Sequence, residues 1–255
     1  MEAHDIIIVL AALGASLLTL LSGFGLGTLL LPVFALFFPL PVAVLLTAVV
    51  HLLNNLFKLG LLWKHINRHT VLLFGVPGIF GALAGAWLLD QLGDLAPLYA
   101  GVRVPVDVVR ICLAVLMVLF AFTELSPGLA SFSFSPKFLL PGGFLSGLFG
   151  GFSGHQGALR TMFLLRSGLS KEALLATGVA IACLVDFTRI PVYLSSPLKY
   201  EVVAQWPLLV ATTLAAFVGA YWGKQLIPKV TLRGVQLIVA GFMFAVAVGL
   251  VCGVV

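Results

Sequence analysis

The chain has 255 residues, of which 61% are hydrophobic and only 9% charged, with a mean hydropathy of +1.18. A water-soluble domain carries about 25% charged residues, so this composition excludes a soluble fold and points to an all-α polytopic membrane protein. The net charge of +5 then reports which loops face the cytoplasm and is not a nucleic-acid signature.

A spanning helix needs about 20 apolar residues. The first apolar region, 5–38, is interrupted at "GFGLG" (23–27). Its opening run, Ile6 to Leu21, reads as the start of the membrane domain rather than a signal peptide. Continuous candidates follow at 42–62, 69–89 and 106–122. Region 137–165 is apolar and again interrupted, at "GFSGHQG" (151–157). Candidates at 173–194, 202–223 and 233–254 follow it. The order is broken, whole, whole, whole, and then the same again. That is an internal repeat, dividing one membrane domain into halves at 1–124 and 125–255.

Local similarity supports the duplication. "SGFGLG" (22–27) lies over "GGFSG" (150–154), "LLTAVV" (45–50) over "LATGVA" (175–180), and "GALAGAWLLDQL" (81–92) over "AAFVGAYWGKQL" (215–226). Allowing one inserted residue, "NLFK" (55–58) lies over "DFTR" (186–189). Loop charge then sets topology. If each broken region is a re-entrant hairpin, each half crosses three times and the second half is inverted. Lys64, Arg68, Lys137, Arg160, Arg166, Lys171, Lys224, Lys229 and Arg233 then fall inside, while Arg103, Lys199, nearby Arg110 and the acidic loop of Asp90 and Asp94 fall outside. A single crossing by each broken region would put the basic loops 166–171 and 224–233 outside, so the positive-inside rule favours hairpins.

Inverted repeats with interrupted helices build secondary transporters, whose sites lie near the midplane where half-helix ends meet. Irregular backbone is tolerated at membrane depth only where protein or a water-filled cavity satisfies it. A helix starting there aims free N–H groups and a partial positive charge at the cavity, a combination that binds anions. In the second half the restarting helix would present His155 and Gln156, with Arg160 one turn later. In the first half it would offer Thr28. Gly23, Gly25, Gly27, Gly154 and Gly157 would let the backbone approach a ligand, although small residues also pack membrane helices. Two clusters at equivalent repeat positions, one carrying His-Gln, favour a substrate-binding site. Arg160 supplies countercharge there or, with Arg166, anchors the cytoplasmic end.

Two whole helices add polar residues. His51, Asn55 and Lys58 recur at spacings of four and three and share a face. Asp186 and Arg189, three apart, can pair along theirs. "NxxK" and "DxxR" hold equivalent repeat positions, so both are expected to look into the bundle interior as coupling or gating residues. Lys58 could instead snorkel to the inner face, and Asp186–Arg189 could be a purely structural pair. His155 and Asp186 are the candidate proton-coupling groups. His65 and His69 are four apart in a basic loop without carboxylates, and no HExxH run, nucleophile elbow, phosphate loop or CxxC occurs. Cys112, Cys183 and Cys252 lie inside apolar runs as small hydrophobes. No metal, cofactor or catalytic activity is expected.

The glycine break after the first helix, "SGLFGGFSGHQGALR" (146–160) and "KEALLATGVAIACLVDFTRIPVY" (171–193) resemble the TauE/SafE family of sulfite and organosulfonate exporters over essentially the whole chain. The resemblance implies a small multi-pass protein of a bacterial or archaeal inner membrane, built as two repeats, that moves sulfur-containing anions outward. The first half keeps the proline of the family pattern in "GFGLGTLLLP", at Pro32. The second half substitutes "GFSGHQGALR" for a further glycine run, which separates the chain from a sulfite-only assignment. The expected partners are a small anionic substrate, the bilayer, protons as candidate coupling ion and a second copy as candidate homodimer, with no nucleic acid. An anion channel and a non-transporting scaffold subunit are the alternatives.

Overall fold

The computed structural model describes residues 3–22, 25–126, 133–195, 198–226 and 232–255. Eleven helices are named here: α1 Ala3–Ser22, α2 Leu26–Ala35, α3 Leu40–Leu62, α4 Arg68–Gly93, α5 Val108–Leu125, α6 Leu139–Ser153, α7 Gly157–Leu164, α8 Lys171–Leu194, α9 Leu198–Ala204, α10 Trp206–Leu226 and α11 Leu232–Val251. The described residues contain no strand, only an isolated bridge between Tyr99 and Val106. Four helical stretches are long and apolar enough to cross a membrane: Leu40–His65, Arg68–Gly93, Lys171–Leu194 and Trp206–Gly223. Large apolar side chains such as Leu72, Phe80, Trp87, Phe187, Trp222 and Ile238 cover the outside of the bundle. In water such a surface would be an association liability; in lipid it is the solvent-matched face. The chain is an all-α polytopic membrane protein.

Local chemistry sets the boundaries. The Asp107 carboxylate accepts from the Arg110 amide at 2.8 Å and starts α5 at Val108, two residues beyond the expected start. Ser170 caps α8 through the Ala173 amide, the usual role of a serine at that position. The region expected as one helix over 202–223 is divided at Gln205, because Pro207 sits in the first turn of α10 and disfavours helix before it. Within α4 the turn Val71–Gly75 is π-helical. Two residues beyond it stands Pro77, which has no N–H to offer the Leu73 carbonyl.

Both interrupted regions are helical hairpins. His4, at the start of α1, stacks on Phe37 just past the end of α2, with ring centroids 5.6 Å apart. Phe134, just before α6, stacks on Phe163 near the end of α7 at 4.2 Å, and its amide donates to the Met162 carbonyl. Each first hairpin arm packs on a helix of the other half: α1 on α10, and α6 on α4. These contacts depend on glycine. A Cβ at Gly81 or Gly85 would collide with the Phe144 or Leu148 carbonyl, and one at Gly147 or Gly151 with the Gly78 or Ala82 carbonyl. Gly219 stands in the same relation to the Leu13 carbonyl on α1. Helices α3 and α8 cross at the centre of the bundle and run antiparallel. The Asn67 amide, beyond the end of α3, donates to Thr177 Oγ1 near the start of α8 at 3.0 Å.

Candidate functional site

The two chain breaks meet in the middle of the bundle. Gly25, in extended conformation, is the N-cap of α2, and no side chain caps that helix end. A Cβ built on Gly25 would lie 3.4 Å from His51 Nε2 and 4.0 Å from Gly157, the first residue of α7. One on Gly27 would lie 3.3 Å from the Gly154 carbonyl oxygen. Gly154 ends α6 in a left-handed conformation at φ 80°, and its amide donates to the Gly150 carbonyl. A non-glycine residue there would be strained. Gly23 lies outside the described residues.

From this junction a cleft of about 70 Å³, its wall mixing leucines with a few polar and charged side chains, runs along the C-terminal half of α3. Gly25 and Leu26 form its inner end with His51, and Leu62 and Leu174 lie at its outer end. His51 to Leu62 spans roughly 16 Å at 1.5 Å per helical residue, so the cleft reaches from mid-helix to the bundle end that carries Lys64. Exposed Lys64, Arg68, Arg166 and Lys171 surround that end. Between inner and outer ends the walls carry Asn55 and Lys58 from α3, Arg160 and Thr161 from α7, and Gly178 from α8.

Two cationic side chains face this space, and no carboxylate lines it among the described residues. Lys58 is buried rather than extended to the membrane surface. In the amide orientation that satisfies both ends, Asn54 accepts from Lys58 Nζ at 3.1 Å and donates to Ser16 Oγ at 3.2 Å. Arg160 is also buried and its Nη1 donates to Gln156 Oε1 at 3.3 Å, whereas Arg166 is exposed. Gly178 makes room for the guanidinium, since a Cβ there would come within 3.3 Å of Arg160 Nε. Charges at membrane depth cost about 2.5–3.5 kcal/mol on insertion scales, and here both cations have polar partners, Asn54 for Lys58 and Gln156 for Arg160. At the N-terminus of α2 the Thr28 amide turns back onto the Gly25 carbonyl at 3.1 Å, which leaves the Leu26 and Gly27 amides as the unbonded first donors of the helix, with Leu26 on the same inner end.

Behind the cleft lies a fully buried polar group. Asp186 Oδ2 is 2.6 Å from His51 Nδ1, and its Oδ1 accepts from Arg189 Nε at 2.9 Å. Asn55 Nδ2 lies 3.2 Å from both ring nitrogens of His51. The Asp186–Arg189 pair therefore forms along α8, and it also joins the two halves through His51. Arg189 lies 5.9 Å over the Tyr193 ring, and the Tyr193 hydroxyl donates to the Gly151 carbonyl.

Not every expected residue reaches the cleft. His155 is buried, stacked 5.7 Å from Phe120, with Nδ1 3.2 Å from Ser153 Oγ. Gln156 touches the cleft only through Arg160. Thr28, Gly27, Gly154 and Gly157 lie at the junction but not on its walls. His51, Thr161 and Gly178 are lining residues absent from the expected set. His51 was detectable, since it shares the face of Asn55 and Lys58.

No curated protein and no solved structure matches the chain. A family model described as "Sulfite exporter TauE/SafE" matches residues 8–250. With a match across nearly its whole length, this membrane protein belongs to the TauE/SafE family of transporters.

Proposed function

We propose that the protein is a secondary transporter that moves a small sulfur-containing oxyanion, such as sulfite or a short organosulfonate, outward across a bacterial or archaeal inner membrane. The observation that carries this reading is the cleft wall, where Lys58 and Arg160 face a space without a lining carboxylate beside the N-terminus of α2. Arg160 and Lys58 supply countercharge, Asn55 and Thr161 supply neutral hydrogen bonds, and the α2 amides complete the inner end. A volume of about 70 Å³ equals roughly two waters at about 30 Å³ each, which suits an ion of a few heavy atoms and disfavours a long organic chain. The basic loops around the mouth support a cytoplasmic opening, the loading side for export.

In this reading the halves 1–124 and 125–255 are inverted repeats. The antiparallel crossing of α3 and α8 and the exchange of hairpin arms support that arrangement. Protons are the proposed coupling ion, with Asp186 and its partner His51 as the exchange point. The test is calorimetric binding of sulfite, sulfoacetate, taurine and sulfate to purified protein, beside Arg160→Gln. Binding of a sulfur oxyanion that weakens at least tenfold in the variant supports the reading; no binding, or equal binding, overturns it.

A further inference from the structure

We propose that Arg189, with Thr47 and the N-terminus of α7, forms a second anion site that opens to the face opposite Lys64. This inference rests on the transport reading. Its starting point is helix register. Lys58 and Arg189 hold equivalent repeat positions in α3 and α8, each 19 residues past its N-cap, Pro39 or Ser170. Lys58 lines the open cleft. Its counterpart Arg189, and Thr47 of α3, are sealed at 0% and 1% exposure.

The sealed pair carries unspent hydrogen-bonding capacity. Thr47 Oγ1 and Arg189 Nη1 are buried with no hydrogen-bond partner among the described residues, and such groups are rare enough to need an explanation. The rest of the guanidinium is engaged: Nε and Nη2 pair with Asp186 Oδ1, at 2.9 and 2.8 Å, and the group also bonds the Tyr193 side chain. Both orphan groups border the same break. A Cβ on Gly154 would sit 3.2 Å from Arg189 Nη1, and one on Gly27 would sit 3.7 Å from Thr47 Cγ2 and 3.3 Å from the Gly154 carbonyl.

Gln156, the N-cap of α7, adds a buried amide nitrogen without a partner, beside the free amides of the helix start. The class of ligand follows from this inventory: a guanidinium edge, an amide N–H₂, a hydroxyl and a helix N-terminus all donate, so they suit an oxyanion. The open cleft uses the same set, with Lys58 and the α2 N-terminus in those roles. Because α3 and α8 run antiparallel, the second set faces the opposite end of the bundle. The anion would pass from the Lys58 set to the Arg189 set as one cleft closes and the other opens, and the closed one here is latched by the Tyr193 hydroxyl on the Gly151 carbonyl.

The test uses single cysteines in a background where Cys112, Cys183 and Cys252 are alanine. Leu175→Cys reports the open cleft and Thr47→Cys, a near-isosteric change, reports the sealed one. Full-length protein in oriented membrane vesicles is treated with a membrane-impermeant maleimide, with sulfite flux measured in the same vesicles. Leu175→Cys is expected to react from the Lys64 side and Thr47→Cys from the opposite side. Inward-directed sulfite gradients are expected to change the two rates in opposite directions by at least threefold. Arg189→Gln should lose at least tenfold of the flux. If vesicles carry sulfite while Thr47→Cys stays unreactive from the far side, the second site is wrong and the transport reading stands. If Thr47→Cys reacts from the far side but no sulfite moves, the second opening is supported and the sulfite assignment fails.

Discussion

Asp186 and His51 lie 135 residues apart in sequence, yet Asp186 Oδ2 is 2.6 Å from His51 Nδ1, with both side chains almost wholly out of solvent. This contact holds α3 against α8 at the point where the chain breaks converge, and Arg189 completes it from the other side. One carboxylate thus serves two partner residues, His51 and Arg189, at the centre of a membrane bundle.

Removing that carboxylate should be costly. Breaking a buried ion pair by deleting one partner costs about 3–5 kcal/mol, so Asp186→Ala is expected to lower the thermal midpoint of the purified protein sharply. Asp186→Asn, which keeps one acceptor, should fall between it and wild type. Tryptophan fluorescence during heating in detergent measures this. Equal midpoints for all three would show that the contact holds nothing together.

Lys58 and Arg160 are expected to behave oppositely to Asp186. Lys58→Met removes a buried charge that faces open cleft, so the fold should be retained. Its anion affinity should drop, because a hydrogen bond to a charged group contributes about 1.5–3 kcal/mol, or roughly 10- to 100-fold at 1.4 kcal/mol per decade. Sulfite titration of folded Lys58→Met and Arg160→Gln gives the answer. Unchanged affinity in both would remove these cations from the site.

Glycine packing between α4 and α6 yields a stability prediction independent of ligand. Gly147→Ala and Gly81→Ala each place a methyl against a partner carbonyl, and overpacking costs about 1–3 kcal/mol or more. Gly60→Ala, which has open space around it, should be neutral or gain up to about 1 kcal/mol of helix propensity. Thermal unfolding of the three separates packing from propensity; similar midpoints would deny the close approach.

Much of the architecture was legible in the chain because it rests on local signals. Runs of about 20 apolar residues mark the long helices, and glycine clusters mark where they stop. His155, however, turned onto Phe120, and Lys58 stayed buried along the α3 wall. Neither follows from spacing, because each depends on how one helix is rotated against a neighbour far away in sequence. The pair Asp186–Arg189 was readable at a separation of three, while His51 joined it only through the crossing of α3 and α8. Laying the two halves over each other brings that crossing face into view. The glycines divided by physical role: Gly154 for its left-handed backbone, Gly151 for close packing, and Gly25 for its place on the cleft wall.

The most direct test of the central claim is sulfite movement into proteoliposomes holding the purified protein, compared with Arg160→Gln under an identical sulfite gradient. The account predicts uptake well above protein-free vesicles for wild type and at least a tenfold loss in the folded variant. Wild-type uptake no faster than in protein-free vesicles, or equal uptake by wild type and variant, would contradict it.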